Sequence, residues 1–109
     1  MRKFSKFLAF ALVTIAVIAA CSKTIYVAYT PTDSDAQKSG TSIEHLAKGQ
    51  AIYSSSCTKC HSIDPPEKYT KAEWNKILPR MSKKAKLTAS DSEILGVYIF
   101  ARAKEEASK

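Results

Sequence analysis

Beyond residue 40 the sequence predicts an all-α domain of three helices. Three times a threonine is followed, three residues on, by an acid: Thr41/Glu44, Thr70/Glu73 and Thr88/Asp91. A cap hydroxyl accepts from the third amide of a helix while the acid returns a bond to the cap amide. The first two pairs match that box, and the third is a weaker version with Asp. After each cap, apolar residues recur at helical spacing. No strand-like alternation and no internal repeat follows residue 40.

Residues 1–20 precede this domain. Arg2, Lys3 and Lys6 make a positive start, and Phe7–Ala20 is an apolar run of 14 residues. A membrane span needs about 20, so the run has the length of a signal-peptide core. It closes on Ile18-Ala19-Ala20-Cys21, an aliphatic and two small residues before a cysteine. This resembles the bacterial lipoprotein signal. The resemblance implies loss of residues 1–20 and a lipid on Cys21, anchoring an exported chain to the inner or outer membrane on its periplasmic side. Ser22 is similar to the residue found there in outer-membrane lipoproteins of some bacteria. An ordinary signal cleaved nearby, or an uncleaved anchor, would also export the domain.

Residues 21–41 read as a lipid-anchored linker. Pro31-Thr32-Asp33-Ser34-Asp35 and Gln37-Lys38-Ser39-Gly40 are polar and turn-rich, with no helical stripe. As flexible chain, residues 22–40 would span about 25 Å on average and about 60 Å at full stretch. Ile25-Tyr26-Val27-Ala28-Tyr29 is apolar and β-prone. Both a membrane surface and the face of the domain would accept it.

The remaining domain, 42–109, opens with a helix over about 42–55, striped by Ile43, Leu46, Gly49, Ile52 and Tyr53. Ile63-Asp64-Pro65-Pro66 excludes helix before the second, at about 71–79. The third runs over about 89–104, with Ile94, Leu95, Tyr98 and Ala101 on one face. A core of this size is marginal alone, so a bound apolar cofactor would supply missing volume and the cofactor-free chain is expected to fold poorly. Formal charge is +7, of which Arg2, Lys3 and Lys6 contribute three without any acid. The rest is mildly basic, with no case for nucleic acid.

The most specific signal is Cys57-Thr58-Lys59-Cys60-His61. Two cysteines three apart with histidine next is the haem c attachment pattern. Each thiol adds to a vinyl group as a thioether, and His61 falls under the iron as proximal ligand. A zinc site would need two more ligands, and the other Cys and His residues are Cys21 and His45. A thioredoxin-like pair would follow a strand. Neither reading uses His61. With Cys21 lipidated and Cys57 and Cys60 on haem, no cysteine remains for a disulfide.

Around the motif the chain resembles class I cytochromes c over about residues 42–104. Those proteins carry a glycine and an aromatic on the helix leading into the motif, and Gly49 and Tyr53 stand at the family's spacing. Their last helix carries an aliphatic and an aromatic three apart that pack on the glycine, and Leu95 and Tyr98 fit. The resemblance implies a small three-helix cytochrome c fold around one covalent haem. Trp74 to Met81, then Leu87-Thr88, is also similar to small cytochrome domains found with periplasmic dehydrogenases.

Met81 is the one methionine after the signal. It continues the stripe Trp74, Ile77, Leu78 at i+7, and Pro79 disfavours helix just before it, which suits a loop turning the thioether to iron. His/Met ligation is the arrangement the resemblance implies, and the thioether raises the potential. Met81 follows His61 by 20 residues, shorter than most class I members, and Ser82 stands where proline is frequent. Met81 as plain core packing, with an open sixth site, is the competing arrangement. His45 lies 12 residues before Cys57 on the same helix, roughly 18 Å along the axis, out of reach of the iron. Lys83, Lys84 and Lys86 would ligate only as neutral amines. Trp74 and Arg80 are candidates to contact a haem propionate. The alternatives are core packing for Trp74 and a solvated charge for Arg80.

The expected function is single-electron transfer, with no second catalytic constellation in the chain. Lysines 59, 68, 83, 84 and 86 form a candidate rim for acidic redox partners such as an oxidase, reductase or dehydrogenase. Two other functions stay open: a haem-based small-ligand sensor with a free iron site, and a cytochrome subunit held on a larger enzyme.

Overall fold

Among the described residues there are four helices, α1 (Asp33–Ser39), α2 (Ile43–Ser56), α3 (Lys71–Lys84) and α4 (Ala89–Phe100), and the first was not expected from the sequence. The computed structural model describes residues 26–59 and 61–107. The signal peptide, Cys21 and Cys60 lie outside the described residues. A 3-10 turn at Pro66–Lys68 joins α2 to α3. Among the described residues there is no strand, only an isolated parallel bridge between Thr70 and Lys104.

The caps explain where the helices begin. Thr70 and Glu73 form the expected box: the Thr70 hydroxyl accepts from the Glu73 amide, and Glu73 accepts from the Thr70 amide at 2.8 Å. Thr88 accepts from the Asp91 amide at 3.1 Å. At α2 the expectation fails by one residue. Ser42, not Thr41, is the cap, accepting from the His45 amide. Thr41 belongs to the end of α1, where its amide bonds the Ala36 carbonyl and Gly40 turns left-handed at φ 63°.

α2 and α4 form the main helix pair. Leu46, Tyr53, Leu95, Tyr98 and Ile99 are buried between them. A Cβ placed on Gly49 would lie 2.3 Å from the Tyr98 Cβ and 3.0 Å from the Ile94 carbonyl oxygen. The crossing therefore requires glycine at 49, and Tyr98 fills the notch.

Residues 26–41 are not slack chain. Ala28 and Tyr29 belong to the core. The Tyr29 and Tyr98 rings stack with centroids 4.2 Å apart. Each phenol donates to the other residue's backbone carbonyl. Asp35, buried, accepts two 2.9 Å bonds from Arg102 and two from Thr32. The Thr32/Asp35 box builds α1 from polar residues, and Arg102 pins it to the end of α4.

Two further differences concern α3 and α4. Helix α3 does not stop before Met81 but continues through Pro79 to Lys84. The proline removes one backbone donor and strains one turn. Burial of Trp74 and Leu78, with Ile77 and Met81 packed beside them, holds the stripe in one helix. A Schellman closure ends it: the Leu87 amide bonds the Ser82 carbonyl, the Lys86 amide bonds Lys83, and Lys86 is left-handed at φ 55°. Helix α4 ends at Phe100, short of 104, because the Lys104 amide pairs with the Tyr69 carbonyl at 2.9 Å and draws the chain aside.

The Arg102 guanidinium, with the Thr32 bonds, holds the Asp35 carboxyl well below the usual carboxylate range despite burial. A depressed folded value means the stabilisation is complete above the unfolded value, near 3.9, and is lost as pH falls below it. The thermal midpoint of the wild type should therefore drop more steeply between about pH 5 and pH 2 than that of Asp35→Asn. At neutral pH the variant should be the less stable of the two. Melting curves by circular dichroism check both statements.

Candidate functional site

The attachment motif begins where α2 stops. Cys57 is the C-cap of α2 and is buried, and burial pushes its thiol up from the ordinary cysteine value. The chain then turns, and His61 stands exposed at the start of the loop to the 3-10 turn. His61 Nδ1 lies 2.7 Å from the Ser62 carbonyl oxygen. A carbonyl only accepts, so Nδ1 carries the proton and donates. In the neutral ring this leaves the Nε2 lone pair free, the tautomer a metal-ligating histidine needs.

The loop carrying His61 is fixed from below. Tyr53, one turn before Cys57, donates its hydroxyl to the Asp64 carbonyl. Trp74 donates its indole N–H to the Pro66 carbonyl at 2.8 Å, and Tyr69 meets the Trp74 ring edge-on at 5.2 Å. Lys68 bonds the Asp64 carboxylate at 2.8 Å. The Trp74 indole N–H is engaged inside the protein, so Trp74 packs the core and pins the loop, as in the core-packing alternative.

Two adjoining cavities lie between this loop and α3, and His61 and Met81 line both. The smaller, about 110 Å³, is completed by Ser56, Cys57, Lys84 and Ala85. The larger, about 270 Å³, is walled by Tyr53, Asp64, Tyr69, Trp74, Ile77 and Arg80. Together they reach the lower end of the range of ligand pockets, about 300–1,000 Å³. The fold thus brings Cys57, His61 and Met81 to one place, although they come from a helix end, a loop and another helix. Met81 arrives from inside α3, not from the loop expected after Pro79. Arg80 is exposed on the cavity wall.

The residues present fit a haem c. Cys57 offers a thiol at the cavity edge, His61 a ring nitrogen, and Met81 a thioether. Tyr53, Ile77 and Trp74 give a wall of mostly apolar surface. Arg80 and Lys84 supply cations at the rim. Among the described residues no three His, Cys, Asp or Glu side chains gather as a metal cluster. His45 is half-buried near the start of α2, away from both cavities.

A larger space of about 540 Å³ lies elsewhere, in the groove between α3 and α4 lined by Leu78, Pro79, Gly96 and Phe100. It contains none of the candidate ligands. The smaller pair is the candidate site for the chemistry of its donors, not for its size. Sequence reasoning missed the pinning pair Trp74–Pro66 and the Tyr53–Asp64 bond, since both end on backbone carbonyls that no motif marks. Comparisons of the chain with protein-family models, with curated proteins and with solved structures returned no match.

Proposed function

We propose that this protein is a single-electron carrier that holds one covalent haem c through Cys57 and Cys60, with His61 and Met81 as axial ligands. The observation that carries the reading is the convergence of the motif's Cys57 and His61 with the distant Met81 on one cavity system. Haem bound there supplies a one-electron iron couple. Each protein group then has a defined task. Cys57 and Cys60 fasten the group. His61 presents Nε2 because Ser62 holds Nδ1–H. Met81 would hold the group through its thioether, from within α3. Tyr53, Trp74 and Ile77 keep water from the apolar interior, and Arg80 and Lys84 balance carboxylates at the rim.

A thioether held in a helix supports a carrier over a sensor. Met81 sits on a continuous α3 that is capped at both ends, so its side chain would be offered to the group from a fixed backbone. The lysines at 59, 83, 84 and 86 are exposed, and Lys68 is engaged with Asp64. With Lys84 given to the rim carboxylates, Lys59, Lys83 and Lys86 remain to steer an acidic redox partner. We further read the chain as exported and anchored through a lipid on Cys21, on the basis of the sequence that precedes it.

The test is covalent retention. The chain should be matured in a bacterium with haem c assembly, then denatured and separated from free haem. Haem should stay on the wild type and be absent from the double variant Cys57→Ser/Cys60→Ser. Haem that leaves the denatured wild type, or stays on the double variant, would sink the attachment.

A further inference from the structure

The segment 26–40 joins the domain through contacts of three kinds. Tyr29 lies against Tyr98, 5° from parallel, with reciprocal hydrogen bonds to backbone. Arg102 makes its paired bonds to Asp35 and places its guanidinium 4.0 Å over the Tyr29 ring. Gln50 on α2 reaches the Ala28 carbonyl at 3.5 Å. These contacts are buried or half-buried, where a planar, doubly bonded ion pair and a stacked aromatic pair hold a chain firmly.

We infer that this segment is a strap that holds the domain directly against the lipid bilayer carrying Cys21, making that membrane surface the domain's standing partner. The inference rests on the reading of Cys21 as the lipid-bearing cysteine. Length decides it. A slack 22–40 would let the domain stand about 60 Å from its anchor. With the chain strapped down from Tyr26 onward, only five residue steps separate the anchor from the fold, at most about 18 Å fully extended.

The strap's first residues suit that position. Val27, 78% exposed, is the most exposed of the large apolar side chains described, and it stands six residues from Cys21. Tyr26 beside it is half-buried, and a tyrosine with one apolar and one wet end is at home at a lipid interface. The strap also meets α2 at Gln50, one turn before Tyr53 of the cavity wall.

Neutron reflectometry on supported bilayers tests this with the full mature chain, haem-loaded and lipid-anchored. Protein density should begin within about 18 Å of the headgroups. A second variant carries twelve Gly/Ser residues inserted between Thr24 and Ile25, leaving the strap untouched. Its layer should move outward or broaden by roughly 20 Å. Asp35→Ala/Arg102→Ala should broaden the layer in the same direction; if that variant does not fold, the spacer variant carries the comparison. A wild-type layer as far from the bilayer as that of the spacer variant would overturn the strap while leaving the lipid in place. The mass of the mature wild type separates the two ideas: a Cys21 without lipid overturns the anchor, and the membrane role of the strap with it.

Discussion

Gly49→Ala is expected to destabilise the protein by about 2–3 kcal/mol, against the usual sign for glycine in a helix. Elsewhere in a helix interior, alanine gains roughly 0.5–1 kcal/mol over glycine by restricting the unfolded chain. At position 49 the new methyl would fall 2.3 Å from the Tyr98 Cβ and 3.0 Å from the Ile94 carbonyl. Neither neighbour is the free end of a flexible side chain. A Cβ moves only with its backbone, and Tyr98 is held by its stack on Tyr29 and by bonds in both directions. The α2–α4 pair must separate, and Leu46, Leu95 and Ile99 lose packing with it. In a domain of this size the loss corresponds to roughly 10 °C or more in Tm. Gly96 is the internal control. It lies in α4, and a Cβ there would meet nothing within 4 Å. Gly96→Ala should leave Tm unchanged or raise it by a few degrees. Thermal melts of the two variants side by side check the helix crossing, and equal effects would show that Gly49 does not set it.

If the protein is the proposed carrier, Met81→Leu should turn it into a ligand binder. Leucine keeps nearly the volume of methionine, and such exchanges cost under about 1.5 kcal/mol, so the fold survives. What disappears is the sulfur lone pair. The reduction potential should fall by on the order of 0.1 V, within the roughly 0.8 V that axial ligands command. The ferrous variant should bind carbon monoxide readily where the wild type does not. Potentiometry and gas titration read both changes. A variant with unchanged potential and unchanged gas binding would place Met81 in the core as packing alone.

Much of the fold was legible because its signals are local or strictly spaced. The Thr70/Glu73 box, the Gly49 notch and the stripe from Trp74 to Met81 each follow from a few residues at fixed intervals. The rest depends on partners far along the chain. α1 has no apolar stripe; it exists because Asp35 meets Arg102, 67 residues away. Its Thr32/Asp35 box has the same spacing as Thr88/Asp91, and only the missing stripe hid it. Pro79 read as a helix end because the proline rule is local, whereas the burial that carries α3 past it is tertiary. Lys86 closes α3 in a left-handed turn that sequence would assign to glycine or asparagine. For the candidate site, one motif points to Cys57, Cys60 and His61, of which Cys57 and His61 fall among the described residues. That Met81 joins Cys57 and His61 on a common cavity depends on how α3 lies against the end of α2, which no spacing encodes.

The central claim is a haem whose iron is closed on both sides by His61 and Met81. The absorption spectrum of the purified, haem-loaded wild type, ferric and then ferrous under carbon monoxide, tests it most directly. The His/Met carrier predicts a low-spin ferric spectrum with a thioether-to-iron band that vanishes in Met81→Leu, and a ferrous form inert to carbon monoxide. A high-spin ferric wild type that binds carbon monoxide promptly once reduced would contradict it.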